Sequence, residues 1–280
     1  MPEHLVTYPA GTLAKLVAEG KWKVSTSPKV ETSPRVEGGS IERAKQLFGE
    51  NFFGEEAIHT FEEKCQDKGI NVKFVDIPTQ FQYSDEDLDQ VKQDEEEGKE
   101  RMVILRPQWM VVKEGNQDVR KPVTILNLRE LFKTETRTRS GIRTTIEINY
   151  DNNPFGDGPV FYKHNTDWFA EEEFAQEQMK LGYGLPTKEV IPDSWSKSWD
   201  EQSALFGEGE KRREAVETVW DSLLYYATTG KKILESRWDW TNSQTSSQGR
   251  VLVYWDSDGL DVDRWNPGNP NSNVGVCSSR

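Results

Sequence analysis

The chain has 280 residues and a formal net charge of −13, from 48 acidic against 35 basic side chains. An acidic chain without a basic stripe lacks the Lys and Arg that give nucleic-acid binding most of its affinity, and it is a poor partner for an anionic membrane surface. Hydrophobic residues make up only 34%, so the ten Trp and twelve Phe must supply much of the core. That length suits one large domain or two modest ones.

In chain order, residues 1–40 read as a flexible arm. KVSTSPKVETSPRVEGGS repeats a Ser-Pro-basic-Val pattern and offers little to bury. It is either a tether or a tail without function. Order begins near Ile41. In Glu55 to Lys68 the residues Ile58, Phe61 and Cys65 share one helical face, and Gly69 stands where a helix ends. Ile70, Val72 and Phe74 alternate with polar neighbours, as in a strand. Ser84 before Asp85-Glu86-Asp87 opens a helix, because carboxylates there meet unpaired N–H groups. Met102 to Leu105 forms a short buried strand. TETRTRSGIRTTIEI reads as a β-hairpin turning at Ser140-Gly141. Asn152, Asn153, Pro154 and Gly156 mark a boundary, so residues 41–154 form a small α/β region.

The C-terminal unit covers 155–280. It starts with a strand-like VFYK, an acidic helix over Glu171 to Lys180, Gly182-Tyr183-Gly184-Leu185-Pro186-Thr187 and a Trp-containing loop. A helix from Lys211 to Thr229 follows. Ala215, Val219, Trp220, Leu223, Leu224 and Ala227 form its stripe, and Gly230 ends it. Strands are predicted at Arg237 to Thr241, Val251 to Trp255, Leu260 to Trp265 and Val274 to Ser278. Eight of the ten Trp lie after residue 160, which places the densest packing here.

Catalytic patterns are missing. His4, His59 and His164 are scattered, and no His pair, Cys-x-x-Cys, P-loop, dinucleotide fingerprint or Gly-x-Ser-x-Gly occurs. Cys65 and Cys277 match neither a disulfide framework nor a metal spacing and are expected as reduced thiols. Asp256-Ser257-Asp258-Gly259 starts like a calcium loop, but no Glu follows Glu235 to complete it. It reads as an Asp-Gly turn. No metal, cofactor or enzymatic activity is expected. No apolar run approaches membrane length and no leader-like segment opens the chain, so a soluble protein is expected. A place on a virion or cell surface would require a non-classical route.

The last thirty residues differ from the rest. Val251 to Arg280 contain no Lys, Glu, Gln or Met, whereas residues 1–250 contain 67 of these; composition alone predicts roughly eight. The segment separates into two sets. Val251, Val253, Trp255, Leu260, Val262, Trp265, Val274, Gly275 and Val276 have the bulk and alternation of scaffold strands. Small, polar, turn-forming residues lie between them, as they also would at the loop-rich end of any sheet.

This tail, with GL-x-V-x-x-W-x-P and a final GV-x-x-SR, resembles the variable region of diversity-generating retroelement target proteins. LGYGLPTKEVIP, AVETVWDSLLYYATTGKKILESRW and WTNSQTSSQGRVLVYWDSDGL follow the order of elements in that family's C-type-lectin domains, which are related to formylglycine-generating enzymes. The resemblance covers about 155–280. It implies an α+β protein with a C-type-lectin fold at the C-terminus and a variable region over about 251–280. In that family adenines are randomised during copying, and Asn codons diversify into a set without Lys, Glu, Gln, Met or Trp. The implied contact surface is Tyr254, Asp256, Ser257, Asp258, Asp261, Asp263, Arg264, Asn266, Gly268, Asn269, Asn271, Ser272 and Asn273. Trp238, Trp240, Trp255 and Trp265 are the scaffold beneath it. The implied partner is a protein or other macromolecule, not nucleic acid, and the four Asp point to a polar or cationic target. Calcium-dependent sugar motifs are absent, with Trp265-Asn266-Pro267 where Trp-Asn-Asp would stand. The alternatives are an oxidase of the formylglycine-generating type on the same fold, or a structural viral or surface protein.

Overall fold

The computed structural model describes residues 40–280 apart from 97, 141–142, 164–167 and 236. The expected arm before residue 40 lies outside them, as do His4 and His164. Gly38–Arg280 form one unit.

Ser40 caps helix α1 (Ile41–Phe48) by accepting from the Arg43 N–H at 3.2 Å. The short strand β1 (Phe52–Phe53) leads into α2 (Glu55–Asp67), which buries Ala57, Ile58, Phe61 and Cys65. Strand β2 is Val72–Val75. Helix α3 (Asp85–Glu96) starts as expected: Ser84 Oγ accepts from the Asp87 N–H at 3.1 Å, and Asp87 accepts from the Ser84 N–H at 2.8 Å. Strand β3 is Val103–Arg106. The hairpin β4 (Trp109–Glu114) and β5 (Gln117–Pro122) was not predicted. Its signal was present in the two-residue Gly115-Asn116 turn, with Gly115 at φ 61°. After α4 (Ile125–Glu130), strands β6 (Thr134–Ser140) and β7 (Arg143–Asn149) form the predicted ribbon.

Further along, expectation and structure differ more. VFYK forms no strand, only a bridge from Phe161 to Leu260. The acidic helix shrinks to one turn, α5 (Glu173–Gln176), because the chain turns extended at Glu177 and the Met179 N–H bonds to Val123 O at 2.9 Å instead of to a helical carbonyl. Strand β8 (Gly182–Gly184) and helix α6 (Trp199–Ser203) follow. The long helix α7 starts later than predicted, at Ala215–Thr229. Glu214 takes the cap position with Glu217 reciprocating, and Lys211–Arg212 becomes strand β9. Strands β10 (Trp238–Gln244), β11 (Arg250–Asp256) and β12 (Gly259–Trp265) match the expected order. The strand expected over Val274 to Ser278 is split into β13 (Val274–Gly275) and β14 (Ser278–Ser279). The first pairs with β10 and the second with β9.

The protein is α+β, with a principal sheet in the order β12-β11-β10-β13. Helix α7 joins the two halves. On one side its Trp220 packs on Phe61 and Phe74, with centroids 5.5 and 4.7 Å away, and donates its indole N–H to Leu105 O at 2.9 Å. On the other side Tyr226 meets Trp255 at 5.1 Å. One core therefore runs through residues 41–280, and the Asn152–Gly156 break is a turn within it. There Asn153 accepts from the Phe155 N–H at 2.8 Å and donates to Gly158 O at 2.9 Å.

Buried charges cross the same junction. Arg106 of β3 binds Asp221 at 2.6 Å and Glu217 at 2.9 Å on α7. Arg213 binds Asp221 at 3.0 Å and Asp239 at 2.8 Å. Burial alone would lower both guanidiniums; Asp221 and Glu217 hold Arg106 above its ordinary range, and Asp239 and Asp221 do so for Arg213. A second cluster fixes the C-terminal residues. Arg101 pairs with Asp94 at 2.9 Å and with Glu210, and it reaches Ser278 Oγ at 3.2 Å. Arg280 pairs with Asp94 at 3.1 Å. Among the described residues no helix is long and apolar enough to cross a membrane.

Candidate functional site

The alternation of the tail follows from strand pairing. Antiparallel partners share a face, and the pairs are Arg250 with Trp265, Leu252 with Asp263, Tyr254 with Asp261, and Asp256 with Gly259. The opposite face carries Val251, Val253, Trp255, Leu260 and Val262, all buried in the main core. Two glycines in the tail are required by close approach. A Cβ on Gly259, at φ 124°, would lie 2.6 Å from the Phe161 carbonyl carbon. The backbone there bonds to β12 through Tyr162 N–H to Leu260 O at 3.0 Å. A Cβ on Gly275 would lie 2.8 Å from Ser194 Oγ and 2.9 Å from Val190 Cβ.

The four expected scaffold tryptophans do not form one layer. Trp255 is fully buried against α7, on the face away from the others. Trp240 is also fully buried, in a smaller cluster with Leu252 and Val274. Trp238 and Trp265 are half-buried at its edge.

The expected contact residues also divide. Asp256, Ser257, Asp258, Arg264, Asn266, Gly268, Asn269, Ser272 and Asn273 are exposed, while Asp263 and Asn271 are half-buried. Tyr254 and Asp261 are the corrections: they are 8% and 4% exposed. Tyr254 stacks on Trp238 at 4.8 Å and donates its hydroxyl to Asp261 at 2.8 Å. Burial first, and then the Asp261 carboxylate, push the phenol well above its ordinary range. A sequence pattern of polar residues on a strand did not reveal this, because the aromatic lid on Tyr254 comes from β10.

Nor do the exposed residues make one patch. Asp256 to Asp258 form the β11–β12 turn, whereas Arg264 and the 266–273 loop lie at the other end of the hairpin. Seven-residue strands put these ends roughly 20 Å apart. The loop is partly self-supporting. Asn266 Oδ1 accepts from the Gly268 N–H at 2.9 Å, and Asn271 Oδ1 from the Asn273 N–H at 2.8 Å. These are turn-forming bonds of the kind that favour Asn in loops.

At the loop end a cleft of about 660 Å³ opens between Trp199 and Trp265. Gln244, Gln248, Arg250, Arg264, Asn266 and Asn269 also line it. Nothing local in the chain marks Trp199, Gln244, Gln248 or Arg250 as site residues, because β10, β11 and α6 meet there only in the fold. The walls are held in place. Trp199 donates its backbone N–H to Pro267 O at 3.0 Å and its indole N–H to Thr241 O at 3.3 Å. Trp265 donates its indole N–H to Asn269 O at 2.8 Å. Arg212 and Arg250 lie over the Trp199 ring at 4.4 and 4.3 Å.

Cys65 and Cys277 are free thiols, both fully buried. Burial pushes both above the ordinary thiol range, away from the thiolate form that attacks or ligates. Among the described residues no three His, Cys, Asp or Glu side chains are grouped to hold a metal ion. No family model, curated protein or solved structure matches the chain.

Proposed function

We propose that this is a ligand-binding display protein of a diversity-generating retroelement. Residues 155–280 adopt a C-type-lectin fold in this reading, and the exposed residues of Asp256 to Asn273 are diversified to recognise macromolecular targets. The observation that carries the reading is the division of the tail. Eight of its scaffold positions, Val251, Val253, Trp255, Leu260, Val262, Val274, Gly275 and Val276, are buried, and nine of its small polar positions are exposed. A surface that accepts many residue types cannot also be core, so a frame that buries itself independently is the physical requirement for such a protein. The cleft adds rigid aromatics beside adaptable amides, a combination that limits the entropy lost on binding. The contact set differs from the sequence-based one in that Tyr254 and Asp261 support the surface from within.

The test is a comparison of sibling gene copies and of the flanking DNA. The reading expects substitutions concentrated at the exposed tail positions, with a template repeat and a reverse transcriptase nearby. Substitutions spread evenly along the gene would end it.

A further inference from the structure

We propose that the cleft between Trp199 and Trp265 holds a constant anion-binding subsite, Arg250 stacked on Trp199, that selects acidic peptide segments. The inference rests on the display reading, because only then do two parts of the lining, here called walls, differ in kind. Trp199, Gln244, Gln248 and Arg250 precede the variable region and stay the same in every copy. Arg264, Asn266 and Asn269 lie inside it and change. The constant wall sets what all targets share, and the changing wall sets which one is chosen.

The charge distribution gives the sign. In a chain of net charge −13, the buried guanidiniums of Arg101, Arg106 and Arg213 are held by carboxylates, but the cations at the cleft are not. Arg250 gives one N–H to Asn242 O at 2.7 Å and has no carboxylate partner among the described residues. Arg264 is exposed, lies over Trp168 at 4.8 Å, and likewise has none. Arg212, behind Trp199, bonds only to neutral oxygens: Trp199 O at 2.6 Å, Trp240 O at 2.8 Å, Ser203 Oγ at 3.2 Å and Gln202 Oε1 at 3.3 Å. Burial pulls this guanidinium down to about 9; Asp239 opposes that pull and the charge of Arg250 adds to it. Among the described residues the only acid lining the cleft is Asp200. Glu173, Glu177 and Glu214 line a neighbouring cleft on the far side of Arg250, without ion-pairing to it.

Three of the tail's four acids lie away from this charge or are engaged: Asp256 and Asp258 sit at the far end of the hairpin, and Asp261 is occupied by Tyr254. The fourth, Asp263, accepts from the Arg264 backbone N–H at 2.8 Å and forms no ion pair with Arg250 or Arg264 among the described residues. The polar or cationic target to which the four Asp point would then belong to the other end of the hairpin, and an anionic one to this end. A guanidinium fork matches a carboxylate geometrically as well as electrically. The indoles of Trp199 and Trp265 and the planar amides between them suit a flat or apolar neighbour of that carboxylate. The cleft volume of about 660 Å³ is that of a small-ligand pocket, which admits a few side chains.

The test uses the full chain and three blocked tripeptides, Glu-Tyr-Glu, Gln-Tyr-Gln and Lys-Tyr-Lys, followed by NMR of the tryptophan indole N–H signals. Glu-Tyr-Glu is expected to shift the Trp199 and Trp265 signals and to bind about tenfold more tightly than Gln-Tyr-Gln, with the advantage shrinking in high salt. Arg250→Gln should abolish the preference with the melting temperature monitored as a check on folding; Arg264→Gln should reduce it only in part. Equal binding of the three peptides, no shift at either indole, or a preference surviving Arg250→Gln would overturn the proposal. The outcome is separable from that of the display reading. Substitutions scattered along sibling genes would remove diversification and leave this chain's peptide preference intact, whereas concentrated substitutions with no acidic preference would remove only the subsite.

Discussion

Val253 and Asp258 lie five residues apart on one hairpin, the first fully buried and the second in solvent. The contrast between them runs through the whole tail. Frame residues are fixed by neighbours from distant segments: Trp255 by α7, Gly275 by the 190–195 loop, Ser278 and Arg280 by Arg101 and Asp94. Exposed residues touch mainly their own loop. A fold can tolerate change where contacts are local and solvated, and resists it where a side chain closes a buried network. This difference in environment, rather than any difference in residue type, separates Asp239 from Asp258.

Five measurements would break or sharpen the contrast. The largest effect is expected on the buried network. Asp221→Ala leaves Arg106 and Arg213 without their shared carboxylate and should cost about 3–5 kcal/mol in urea unfolding; a loss below about 1 kcal/mol would show that water replaces the partner. Asp94→Asn, at the C-terminal clamp, should cost about 1.5–3 kcal/mol.

The same clamp has a pH signature. Burial alone would raise the Asp94 carboxyl, but Arg280 and Arg101 outweigh it and hold the group below its ordinary value. A depressed carboxylate stabilises fully above its unfolded pKa, about 3.9, and loses that contribution as pH falls through the folded value. Glu210 has the same sign: burial opposes, while the Gly207 N–H, Arg101 and Lys99 lower it. Stability should stay level from neutral pH to about 4 with respect to these groups and then fall. Asp94→Asn should flatten that fall, as read by unfolding at a series of pH values.

Gly275→Ala comes next. The new methyl meets Val190 and Ser194, and overpacking of this kind costs about 1–3 kcal/mol, visible as a lower melting temperature. The smallest effects belong to the exposed set. Asp258→Asn and Ser272→Ala should each stay within about 0.5 kcal/mol of the parent. A larger loss at either would mean that the tail's surface is structural, and the contrast would collapse.

Much of this protein was legible in the chain. The stripe of α7, the Ser84 cap, the 134–149 ribbon and the strands at 238, 251 and 260 follow from period, capping and turn chemistry, which act over a few residues. The same local rules separated Val251, Val253, Leu260 and Val262 from the polar residues between them. Other features were hidden because their causes are distant. Tyr254 is buried by Trp238, the acidic helix is cut short where the Met179 N–H bonds to Val123 O, and the last strand is divided because its halves find different partners.

By itself, then, the sequence determined which tail residues could form a buried frame and which lie between them, since hydrophobic alternation is written along the chain. Only the tertiary structure decided that the polar residues fall at two ends of a hairpin, that Trp199 and Arg250 join one of them, and that Arg250 stacks on Trp199 there. Those outcomes depend on which segments pack together, and packing brings side chains into contact regardless of their separation in sequence.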